Sequence, residues 1–101
     1  MVNMIPNTWL IIGGLPAVDP TEAVEDDRDL FTEDLFQATE PSGRFLLDVG
    51  WLPEADLSGT FVCQLVRDGE WDPPVLVYRT KRLAEVHEWL EESVLRMIAT
   101  I

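Results

Sequence analysis

At 101 residues, 47% of them hydrophobic, the chain is long enough for one domain with one core, residues 1–101. Nineteen acidic side chains against seven basic ones leave a formal net charge of −12. That balance excludes a phosphate-holding surface of clustered lysine and arginine and disfavours anionic membranes. It fits either a basic partner or simple solubility.

The first apolar run, "TWLII" (residues 8–12), reads as a buried strand ended by Gly13-Gly14. The stretch "WLIIGGLPAV" is too short to span a bilayer and no basic residue precedes it, so neither a membrane span nor a signal peptide is expected. The chain reads as cytoplasmic. Residues 15–29 carry two prolines and a block of acids, the composition of a loop or a weak helical turn. Between Asp19 and Glu40, nine acids meet one base, Arg28. Within that segment Leu30, Phe31, Leu35, Phe36 and Ala38 recur near helical spacing. This predicts a short acidic helix over about residues 29–38, with Glu33 and Asp34 outward. Pro41-Ser42-Gly43 ends it.

"RFLLDVGWL" (44–52) alternates as a strand, with Phe45, Leu47, Val49 and Trp51 on one face. "PEADLSG" (53–59) is a polar loop. "TFVCQLVR" (60–67) is the next strand, with Phe61, Cys63 and Leu65 on one face. Asp68-Gly69 is a two-residue turn signal, because this pair tolerates the positive φ angles of a type I′ turn. Pro73 and Pro74 lack backbone donors, so the return strand, "VLVYR", starts at Val75 and the tip is wider than a minimal hairpin. Thr80 is the expected N-cap of a last helix over roughly 81–98. On that helix Leu83, Val86, Leu90, Val94 and Met97 form one stripe, and Glu85, Glu88 and Glu92 lie opposite. The predicted fold is α+β: an antiparallel sheet of about four strands, with the C-terminal helix and the shorter acidic helix packed on it.

Catalytic chemistry finds little support. His87 is the only histidine, and its neighbours at helical spacing include no nucleophile. A lone Cys63 in an apolar strand usually behaves as a small buried hydrophobe. One Cys and one His cannot fill a structural zinc site, and Asp26, Asp27 and Asp29 lack the glycine and closing glutamate of a calcium loop. No metal or cofactor is expected, and no enzyme activity. What remains is a surface. Trp51 and Trp71 belong to strand ends or turns, where each either closes the core or serves as an interface anchor. Trp9 and Trp89 are expected in the core.

Three stretches, the strand with "DVGWLPE", the strand leading into "RDGEWDPP" and "YRTKRLAEVHEWL", together resemble small bacterial immunity proteins of contact-dependent growth inhibition and related polymorphic-toxin systems. The resemblance covers the second half of the chain. It implies a cytoplasmic protein that binds one cognate toxin domain, often a basic nuclease, and blocks it. With the acidic surface, it gives a candidate contact set: Asp26, Asp27, Asp29, Glu33, Asp34, Glu70, Trp71 and Asp72. Neither direct nucleic-acid binding nor membrane binding is expected. The alternatives are a phage-encoded inhibitor that imitates DNA, and a small enzyme using Cys63 or acidic metal ligands.

Overall fold

Apolar side chains at every second position make the two longest strands the centre of the sheet. The computed structural model describes residues 5–100. In it β1 (Leu10–Gly13), β2 (Phe36–Thr39), β3 (Phe45–Leu52), β4 (Thr60–Arg67) and β5 (Leu76–Thr80) pair antiparallel in chain order. Helix α1 (Leu83–Thr100) packs on β4 and β5. The α+β class and the antiparallel sheet agree with the sequence, but the sheet has five strands, not about four.

The register sets Ala38, Leu47 and Leu65 in one row, Phe36, Val49, Cys63 and Tyr78 in the next, and Trp51 opposite Phe61. Opposed residues share a face of the sheet. Against this face α1 lays Val86, Leu90, Val94 and Met97, which join the strand residues in one buried core. No helix among the described residues is long and apolar enough to cross a membrane.

The acidic helix over 29–38 is not formed. A 3-10 helix occupies Glu25–Leu30, and Phe36–Thr39 is β2. Phe36 and Ala38 also fit a period of two, and a strand between β1 and β3 satisfies the backbone on both sides. The first strand is shifted and is not buried: every residue of β1 is exposed. It is a sheet edge, and α1 covers the β4–β5 side instead.

The helix starts at Leu83, two residues later than expected, so Lys81 and Arg82 precede it. The Thr80 hydroxyl accepts from the Arg82 N–H (3.1 Å) and donates to the Glu85 carboxylate. A distant residue supplies the cap: Asp19 Oδ2 accepts the Leu83 N–H at 3.1 Å. Bonds from Thr21, the Leu83 N–H and the nearby Arg82 charge hold the Asp19 carboxyl below the usual aspartate range.

Candidate partner-binding surface

Phe31 and Leu35 anchor the acidic segment to the core. Phe31 is fully buried, its ring 5.0 Å from that of Trp51 and 6.3 Å from that of Phe61. On its N-terminal side Asp27 Oδ2 accepts the Val24 N–H (2.9 Å), and Arg28 is bonded to Glu25 at 2.7 Å. On its C-terminal side the chain runs beside β3: the Trp51 N–H donates to the Thr32 carbonyl (2.8 Å), and the Leu35 N–H to that of Val49 (3.1 Å). Gly50 permits this approach, because a Cβ there would lie 2.1 Å from the Glu33 carbonyl oxygen.

Two acidic regions distant in sequence meet at this end of the sheet. Glu54 Oε1 accepts the Glu33 N–H at 3.0 Å, and the Ala55 N–H donates to the Phe31 carbonyl at 2.8 Å. On the sheet face away from α1, Asp48 accepts from Gln37 Nε2 at 3.0 Å. Burial raises the Asp48 carboxyl above the usual range, and the Asp34 charge adds to the rise, against the opposing Gln37 bond. Asp26, Asp29, Glu33 and Asp34 are exposed, whereas Asp27 is partly buried in its local bond. Glu54 and Asp48 therefore belong with the predicted acids. Sequence reading missed them because only the fold of the 31–35 segment over β3 brings them together.

Glu70, Trp71 and Asp72 form a separate group. Asp68 and Gly69 both have positive φ, 55° and 72°, and the Glu70 N–H returns to the Arg67 carbonyl at 3.0 Å, closing the expected tight turn. The chain then bulges through Trp71–Pro74 and rejoins β4 where the Val75 N–H donates to the Leu65 carbonyl (2.8 Å). Trp71 is 44% exposed on this bulge, while Trp51 is sealed in the core with its indole N–H on the Asp56 carbonyl at 2.8 Å. The two turn-region tryptophans thus divide, one as a lid and one at the surface. Trp9 is buried as expected, and Trp89 is only partly buried.

The register separates the two groups. Leu52 pairs with Thr60 at the Glu33–Glu54 end, and Phe45 pairs with Arg67 at the hairpin tip. Eight residues of β3 lie between, roughly 23 Å at the rise of a strand. The tip is also less acidic than its sequence reads, because Arg44 and Arg67 lie 3.6 and 3.9 Å from the Asp68 carboxylate. From the tip, exposed Val75, Leu76 and Val77 lead along β5 to a groove of about 320 Å³ lined by Tyr78, Trp89, Glu85, Glu88, Glu92 and Arg96. Helical spacing puts those glutamates on one face, but only the fold brings Tyr78 of another element beside them.

The two residues considered for catalysis lie apart from this surface. Cys63 is fully buried, and burial with the Asp48 charge pushes its thiol up to about 12, so it stays protonated. His87 is held below its ordinary value by burial, and its Nδ1 has no hydrogen-bond partner among the described residues. Among the described residues no three of His, Cys, Asp and Glu converge to hold a metal ion. The chain matches no family model, no curated protein and no solved structure.

Proposed function

We propose that the protein binds a basic protein domain and neutralises it, as an immunity protein neutralises a cognate nuclease toxin in the cytoplasm. The observation that carries this reading is the group of exposed acids Asp26, Asp29, Glu33 and Asp34, beside which the Glu33 N–H holds the Glu54 carboxylate. Its segment has one base, Arg28, and that base is tied to Glu25. Such a surface has attraction to spare for a cationic protein. It speeds encounter and disfavours acidic competitors.

The likeness of the second half to immunity proteins supports the same reading. A nuclease holds phosphate on a basic surface, and carboxylates placed over that surface deny it to nucleic acid. Trp71 supplies what charge does not. An exposed indole at a turn can bury a large apolar area for little loss of rotamer freedom, the usual basis of a tight anchor.

The test is co-expression with the protein encoded by the adjacent upstream gene. Growth inhibition by that protein should be relieved by the wild-type chain and not by a variant carrying Asp26→Asn, Asp29→Asn, Glu33→Gln and Asp34→Asn. Failure of the wild-type chain to relieve inhibition, or equal relief by both, counts against the proposal.

A further inference from the structure

The charge of this molecule is distributed unevenly along the chain: no ionisable side chain occurs before Asp19, and all of the −12 comes from the residues that follow. The charge-free stretch supplies β1, an edge of the sheet. Leu10, Ile11 and Ile12 are 61%, 43% and 56% exposed there. Edge strands of stable monomers are commonly blunted by a charge, a proline or a bulge, and β1 carries no charge and no proline. Beside it lies an apolar groove of about 760 Å³, lined by Ile5, Trp9, Ile11, Leu15, Leu83 and His87 among others.

We propose that β1 is a homodimer edge, pairing antiparallel with β1 of a second copy. Charge decides between occupants. Two molecules of net charge −12 repel over most of their surfaces, and they meet without opposed carboxylates only through a surface that has none. The other open edge, β5, carries exposed Arg79 and is bordered by Glu85, Glu88, Glu92 and Arg96, so it is not free of carboxylates and does not meet that condition.

The register follows from the faces. Ile11 shares the core face with Ala38, so Leu10 and Ile12 point to the opposite face. A two-fold axis perpendicular to the sheet, midway between the two β1 strands at the level of Ile11, sets Ile11 opposite Ile11 of the second copy and Leu10 opposite its Ile12. Every cross-strand pair is then apolar, both helices lie on one side, and a ten-stranded sheet results. The contact is self-complementary and closes at two copies. Four residues form few interchain hydrogen bonds, so apolar pairs and the adjoining grooves carry most of the association.

Sedimentation of the full chain between about 5 and 500 µM, the range of small interfaces, tests this at low and high salt. A concentration-dependent dimer is expected. It should strengthen with salt, because salt screens the repulsion between copies, whereas binding to a basic partner weakens with salt. Leu10→Lys with Ile12→Lys should leave a monomer with an unchanged melt, since both side chains are exposed. Ile11→Cys should give a disulfide-linked dimer on mild oxidation, because opposed residues of antiparallel strands lie within disulfide reach. Val75→Cys, exposed beside β5, should not. A wild-type monomer throughout, a dimer indifferent to the lysines, or equal crosslinking of the two cysteine variants would overturn the proposal. Each of these would leave the edge to an unlike apolar partner.

Discussion

Phe31 packs its ring 5.0 Å from Trp51, and this contact fixes the acidic segment to the body of the domain. The six residues before Phe31 form a 3-10 helix with none buried, and Glu33 and Asp34 after it are exposed. A segment so rich in like charge buries little beyond Phe31 and Leu35, and Phe31, an aromatic plug, is the larger of the two anchors. Phe31→Ala is expected to lower stability by about 3–5 kcal/mol, the range for a buried phenylalanine. Backbone amides of residues 32–35 should lose hydrogen-exchange protection before those of β4. Denaturant melts with exchange measurements check both, and equal loss across the sheet would count against the plug.

Gly50 is the second point of dependence. A methyl group there meets the Glu33 carbonyl oxygen at 2.1 Å, and backbone cannot swing aside as a side chain can. Gly50→Ala should cost about 1–3 kcal/mol, as overpacking does. It should also break the bond from the Glu33 N–H to Glu54. Amide chemical shifts at Glu33 and Ala55 report that loss directly.

Two carboxylates give opposite pH signatures. Burial of Glu40 raises its carboxyl, but bonds from the Ser42 hydroxyl and N–H and from the Phe45 N–H outweigh burial and hold it below the ordinary 4.5. Its contribution is present above that value and is lost as pH falls through the folded-state pKa. Glu40→Gln should therefore destabilise at pH 7 and matter less in acid. Asp48 is raised above 3.8, so its contribution is present below that value and is lost as pH rises through the folded-state pKa. Asp48→Asn keeps an acceptor for Gln37 and should raise the melting temperature at neutral pH, with the gain fading in acid. Melts of both variants across pH 3–8 check the signs.

Cys63 should resist labelling by a thiol reagent in the folded protein and react on unfolding. Its burial hinders access, and a thiol pushed up to about 12 has almost no thiolate at neutral pH. Labelling at comparable rates in the folded and the denatured protein would contradict the packing described for β4.

The second half of the chain was legible because each element carried one unambiguous period. Residues 44–52 and 60–67 alternate, Asp68-Gly69 adopts the positive φ angles its turn needs, and the stripe from Leu83 to Met97 is helical. The first half misled because Phe31, Leu35, Phe36 and Ala38 satisfy two readings at once. Their spacing resembles a helix, but Phe31 is a plug and Phe36 and Ala38 alternate within a strand. "TWLII" misled differently, since apolar character alone does not distinguish a core strand from an uncovered edge. Of the candidate contacts, the sequence marked the acids, and it left Trp71 open between a core lid and a surface anchor until the bulge exposed it. It contained no signal that β3 would separate them into two groups, or that Glu54 and Asp48 would join the first.

The affinity for the protein of the adjacent upstream gene, measured at 50 and 200 mM salt as about a twofold change in screening length, tests the central claim most directly. The account predicts tight binding by the wild-type chain that weakens several-fold with salt. It predicts a smaller salt effect once Asp26, Asp29, Glu33 and Asp34 are neutralised, and faster dissociation with Trp71→Ala. Absence of binding, or an affinity indifferent to salt and to the four neutralising substitutions, would contradict it.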